Sequence, residues 1–181
     1  MNKNKPVVIL GICGSIAAYK SCDIIRRLQE HNINVKCILT ESGKRFITTL
    51  TLQTLSNNPV YTDMFDQSTY DPEHISLAKE SSLIVTAPAT ANSIAKLANG
   101  IASDLLSSVV LSTKSKVLIC PAMNTNMWLH KATQTNITRI KQLGYHIVEP
   151  DSGKLACGDT GIGKLATIEK IVNEILELLK K

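Results

Sequence analysis

The stretch ACGDTGIGK at residues 156–164 places a thiol, Cys157, one residue ahead of a G-x-x-x-x-G-K string. That string holds seven of the eight positions of a phosphate-cradling loop, in which the last residue is a Ser or Thr whose hydroxyl ligates magnesium. Here the last position is Leu165, which cannot bind a metal. The nearest apolar run ends at about Pro150, several residues too early. Residues 165–181 suffice for one helix and no further strand. Nucleotide hydrolysis is a poor fit to these departures. The thiol is the better lead. Cys13, Cys37 and Cys120 fall in apolar runs and Cys22 in a helical segment, where cysteine serves as a small buried hydrophobe. Cys157 sits in a polar, Gly-rich loop, where a thiol is accessible and can give or take a proton.

Four other strings carry reactive or polar groups. GICGSIAAYK at 11–20 follows an apolar run and opens a helix; its small residues admit a phosphate to backbone N–H groups, with Ser15 as an added donor, or simply make a tight turn. LIVTAPATANSIAKLANG at 83–100 repeats the strand–turn–helix pattern with Thr90, Asn92 and Ser93, which either cap the helix or hold a polar ligand edge. CPAMNTNMWLH at 120–130 crowds Asn124 and Asn126 among Met127 and the only Trp. Buried amides without partners are costly, so an apolar pocket with an amide at its edge competes here with an Asn-based turn. His74, in DPEHISLAK at 71–79, lies just after a helix start marked by Asp71 and Pro72. It is a candidate general base, or a surface or capping residue.

These residues need a frame. Runs at 7–13, 35–40, 83–88, 116–122 and 146–150 are nearly continuous in Val, Ile and Leu, as a parallel sheet covered on both faces requires, and 59–65 is a weaker sixth. Helical periods at 16–30, 90–112 (broken at Asn99-Gly100), 131–143 and 167–180 alternate with them. In the last, Ile168, Ile171, Val172, Ile175, Leu178 and Leu179 form one stripe. Segments 64–73 and 150–166 read as irregular loops. The pattern predicts a single α/β domain over residues 1–181, a three-layer αβα sandwich around a doubly wound parallel sheet, with ligands at the carboxyl ends of the strands.

With 44% apolar and 19% charged residues, the chain has the composition of a globular protein. The net charge of +5 is scattered and aromatic residues make up 4%, which fits an anionic small molecule and argues against nucleic acid. No Cys/His spacing fits zinc, no apolar span fits a membrane helix, and the start makes a poor signal peptide, so the expected location is the cytoplasm.

Taken together, GSIAAYK (14–20), HISLAK (74–79), APATAN (87–92), PAMNTNMW (121–128) and ACGDTGIGK (156–164) resemble, in order and over most of the chain, the homo-oligomeric flavin-containing cysteine decarboxylases. The likeness is greatest to stand-alone members that decarboxylate phosphopantothenoylcysteine in coenzyme A biosynthesis. It implies a six-stranded Rossmann-like sheet and FMN bound where subunits of a trimer meet, the trimers being free or gathered into a dodecamer. It puts FMN contacts at Ser15, Ile16, Ala17, Thr40, Glu41, Ser42, Thr90, Ala91, Asn92, Ser93 and Ala122. It implies substrate contacts at Asn124, Met127, Lys154, Leu155 and Ala156, with Asn124 on the carboxylate. His74 matches the active-site histidine and Cys157 the proton-donating cysteine, on a flap that closes over substrate. The implied route oxidises the substrate thiol to a thioaldehyde, after which carbon dioxide leaves and sulfur carries the charge of the ene-thiolate. Relatives that decarboxylate lantibiotic peptidyl-cysteine stop at the ene-thiol and lack the A-C-G-D cysteine. Relatives acting as regulatory subunits of phosphatases have no need of His74, Asn124 and Cys157 together.

Overall fold

The structure, a computed structural model, describes residues 5–65 and 73–180. The expected helix start at Asp71-Pro72 and most of the expected loop at 64–73 lie outside them.

Six parallel strands form the central sheet: β1 (Val7–Ile12), β2 (Asn34–Leu39), β3 (Val60–Tyr61), β4 (Leu83–Ala89), β5 (Lys116–Pro121) and β6 (His146–Ile147). Their order is β3-β2-β1-β4-β5-β6, so the chain reverses direction across the sheet between β1 and β4. The continuous apolar character of these runs has the expected cause. All seven residues of β4 are buried, because helices cover both faces.

One face packs against α1 (Ser21–Glu30), α2 (Thr49–Ser56) and α8 (Ile168–Lys180). In α8 the buried residues Ile171, Val172, Ile175 and Leu178 are those of the predicted stripe. The other face packs against α3 (Glu73–Glu80), α4 (Ala91–Ala98), α5 (Leu105–Ser112) and α7 (Lys131–Gln142). The break between α4 and α5 falls at Asn99-Gly100 as predicted, with Gly100 at φ 65°, a left-handed conformation that glycine adopts freely. The helical period at 16–30 divides into a tight 3₁₀ segment, Ile16–Lys20, and α1. Two short helices were not foreseen, α2 and α6 (Thr125–Leu129).

The segment 150–166 is not an irregular loop. It contains a second, antiparallel sheet, β7 (Asp151–Lys154) paired with β8 (Thr160–Lys164). The Gly158–Lys164 string therefore forms the tip and returning arm of a hairpin and opens no helix, which removes the phosphate-loop geometry. No helix among the described residues is long and apolar enough to cross a membrane.

Candidate active site

Cys157 sits at the tip of the β7–β8 hairpin, exposed as its polar surroundings predict. The tip is closed by Leu155 N–H donating to the Asp159 carbonyl at 2.8 Å and Gly158 N–H donating to the Leu155 carbonyl at 3.0 Å. Two glycines of β8 let the hairpin lie directly on the loop after β5. A Cβ on Gly161 would strike the Thr125 side chain, and one on Gly163 would strike the Met123 carbonyl. In their place Met123 N–H donates to the Gly163 carbonyl at 2.9 Å. This contact brings the Asn124 amide to 3.6 Å from Cys157 Sγ. At the base, Asp151 accepts from Thr167 N–H at 3.0 Å and from the Lys170 ammonium, which ties the hairpin to the start of α8.

Asn124 also caps α6, its side chain accepting from Asn126 N–H at 2.8 Å. The two competing readings of this amide thus both hold: one side-chain atom makes the turn while the other faces the thiol. Around them lies a cavity of about 380 Å³. The predicted Ser15, Ile16, Ala17, Ala122, Asn124, Lys154, Leu155, Ala156 and Cys157 all line it. So do Tyr19, Lys20, Met123, Gly163, Lys164 and Leu165, none of which the sequence marks as a ligand contact. Lys20 could have been noticed as the end of the GSIAAYK string; Lys164 had been read only as part of a phosphate loop. Partial burial and the nearby Lys164 charge both lower the pKa of Lys20. Among the described residues neither Lys20, Lys154 nor Lys164 is in an ion pair. The three lysines give the cavity lining a positive character.

The remaining predicted positions gather at the carboxyl edge of the sheet, where the strand order reverses. The Thr40 hydroxyl donates to the Ile12 carbonyl at 3.1 Å, joining the loops after β1 and β2. The Ser93 hydroxyl donates to Cys13 Sγ at 3.0 Å and joins the β1 and β4 loops. Ala122 N–H donates to the Ala89 carbonyl at 3.0 Å, adding the β5 loop. Burial pushes the Cys13 thiol up to about 11, so it serves as a neutral spacer here. Thr90 caps α4, accepting from Ser93 N–H, and the first turn (Ala91, Asn92, Ser93) holds no acidic residue. Four joined loops with an acid-free helix start at the reversal point form a seat suited to a phosphate-bearing cofactor. Glu41 lines a neighbouring depression with Lys44, Met64 and Phe65, and Ser42 packs against Gly14.

Two predicted residues lie elsewhere. His74, on α3, does not line the Cys157 cavity, and its Nδ1 is buried with no partner among the described residues. Met127 is half exposed and borders an open depression with Asn126, His130 and Thr133.

A doubly wound sheet with polar loops converging on its reversal point is the frame of nucleotide-type cofactor proteins. The chain belongs to the flavoprotein family, whose description, Flavoprotein, matches residues 1–180. It is 42% identical over 177 residues to the "Probable phosphopantothenoylcysteine decarboxylase" of Streptococcus mutans, covering 95% of this chain and 98% of that protein. It is 46% identical over 170 residues to the "Coenzyme A biosynthesis bifunctional protein CoaBC" of Bacillus subtilis, covering 93% of this chain. The chain spans only 42% of the length of that bifunctional relative. Among solved structures, a PPC decarboxylase mutant complexed with pantothenoylaminoethenethiol superimposes with a TM-score of 0.86 at 26% identity, covering 98% of this chain and 100% of that one. The peptidyl-cysteine decarboxylase EpiD superimposes with a TM-score of 0.83 at 29% identity, covering 95% of this chain and 99% of that one.

Proposed function

We propose that the protein is an FMN-dependent carboxy-lyase that converts 4′-phosphopantothenoylcysteine to 4′-phosphopantetheine in coenzyme A biosynthesis, working in the cytoplasm. The observation that carries this reading is the pairing of Cys157 with Asn124 in a cavity lined by three lysines. The likeness to the Streptococcus mutans protein along nearly its whole length supports the same substrate.

The joined loops after β1, β2, β4 and β5 would hold FMN, with its phosphate at the start of α4. FMN, when bound, supplies reversible two-electron chemistry beside the thiol-bearing carbon of the substrate. The protein supplies placement and protons. The Asn124 amide is neutral and donates to the substrate carboxylate without stabilising it so strongly that carbon dioxide fails to leave. Lys20, Lys154 and Lys164 provide the positive field for the anionic end of the substrate. His74 takes up a proton in the first half of the reaction. Cys157 then gives its proton to the ene-thiol carbon in the second half, and water restores it. Without that donor the reaction would end at the ene-thiol, the product class of peptidyl-cysteine decarboxylation.

The site also calls for a second copy of the chain. His74 lies away from the Cys157 cavity of its own subunit, whereas Ile16 and Tyr19, which line that cavity, are exposed apolar residues, as are Met127 and Leu129 on α6. In the homotrimer, His74 of one subunit would serve Asn124 and Cys157 of its neighbour. The test is an anaerobic assay of the FMN-loaded protein with phosphopantothenoylcysteine, following carbon dioxide and the product mass. Release of carbon dioxide with formation of phosphopantetheine is expected; a chain that takes up no flavin, or leaves the substrate intact, would refute the assignment.

A further inference from the structure

The thiol of Cys157 has a second partner at the hairpin tip. Its Sγ donates toward Asp159 Oδ2 at 3.5 Å while it accepts from the Asn124 amide at 3.6 Å. The Leu155–Asp159 and Gly158–Leu155 backbone bonds close a turn with Gly158 at φ 96°, which puts the side chains of Cys157 and Asp159 side by side. Among the described residues the Asp159 carboxylate is in no ion pair.

The charged residues that line the cavity with this thiol are cations. Lys154 and Lys164 stand on the two arms of the hairpin and Lys20 precedes α1 across the cavity. Positive charge near a thiol favours the thiolate. A thiolate has no proton to give, so a proton donor in a basic cavity needs a partner that holds its hydrogen. A carboxylate in contact with the sulfur is such a partner, because loss of the proton would set two negative charges side by side.

We propose that Asp159 is the positioning residue for the proton on Cys157: its carboxylate accepts the S–H and holds that hydrogen at the hairpin tip until the hairpin meets the ene-thiol. This rests on the decarboxylase reading above. In the step it serves, the S–H bond of Cys157 breaks and a C–H bond forms at one carbon of the ene-thiol. FMN, when bound and reduced, would supply the hydride equivalent that completes the neighbouring carbon. The sulfur, left as thiolate beside Asp159, takes its proton back from water. No outside oxidant or reductant is consumed.

The test uses the full chain with Asp159→Asn and Asp159→Glu, and has two arms. In the first, with no substrate present, iodoacetamide alkylation of Cys157 is followed by peptide mass across neutral to alkaline pH. Asp159→Asn should speed alkylation about fivefold at neutral pH, and Asp159→Glu should restore the parent profile. In the second, FMN-loaded protein turns over phosphopantothenoylcysteine without oxygen, and the ratio of ene-thiol to phosphopantetheine is measured per carbon dioxide released. Asp159→Asn should raise that ratio about fivefold, most at the alkaline end, with rescue by Glu. Parent-like alkylation at every pH in Asp159→Asn would overturn the proposal. Equal loss in Asn and Glu with an unmoved pH profile would do so too, since that is the mark of a turn merely disrupted. If no chain, parent included, releases carbon dioxide, the decarboxylase reading fails, and the alkylation arm still decides what Asp159 does to the thiol.

Discussion

Cys157 differs from the other four cysteines by position alone. Three of those four are buried and Cys22 is partly covered, and burial raises the thiols of Cys13, Cys22, Cys37 and Cys120. None of these four is placed to exchange a proton during turnover. Replacing Cys157 with Ser removes the acidic hydrogen and keeps the shape. The expected product of Cys157→Ser with phosphopantothenoylcysteine is the ene-thiol, two hydrogens lighter than phosphopantetheine, read by mass under anaerobic conditions. Formation of phosphopantetheine at the parent rate would show that another group donates. This residue was legible in the sequence because a thiol among glycines and polar residues has no packing role to explain it. Lys20, Lys164 and Asp159 were not legible as site residues. Their significance lies in which of them face one cavity, and residues 20 and 164 meet only through the fold.

At the level of elements, the six sheet strands could be read because buried parallel strands are apolar without interruption. The hairpin could not. Its arms, DSGK and TGIGK, show no apolar alternation and bury only Gly163 fully, so they carry none of the period-two signal by which strands are recognised. They form a ribbon because their glycines fit against Met123 and Thr125 and because Asp151 anchors the base. The Asp151 carboxyl is held below its ordinary 3.8 by the Lys170 ammonium, with Thr167 N–H adding to this and burial opposing it. A depressed carboxyl contributes its stabilisation above the unfolded value and loses it as pH falls through the folded one. The anchor should therefore be intact at neutral pH and weaken only below about pH 4. Asp151→Asn should speed amide hydrogen exchange across 151–164 at neutral pH by severalfold and leave the β1–β5 amides unchanged, as measured by mass spectrometry. Protection equal to the parent would mean that the glycine contacts alone seat the hairpin. Helix α2 escaped notice for a related reason: TLTLQTLS buries only Leu52 and Ser56, too few residues for a helical period to stand out.

On the scale of the whole molecule, the reversal of strand order between β1 and β4 collects loops from four strands at one edge. The placing of His74 outside the Cys157 cavity then has a direct consequence for an oligomer. Mixing His74→Asn subunits with Cys157→Ser subunits, each inactive in forming phosphopantetheine, should restore activity. Random assembly with one intact residue from each neighbour gives roughly a quarter of the parent sites. Equal mixtures, unfolded and refolded together with FMN and assayed for phosphopantetheine, check this; no recovery would place both residues in one chain's site. The hairpin has one further property. A two-stranded ribbon has little stability of its own, so a proton donor at its tip would keep its place only while the Met123–Gly163 bond and the Asp151 anchor hold. Whether a given ene-thiol departs or is completed is then a race between reopening of the ribbon and transfer of a proton. The purity of the product becomes a matter of timing, and solvent viscosity or temperature would alter it without any change in how tightly the ligand is held.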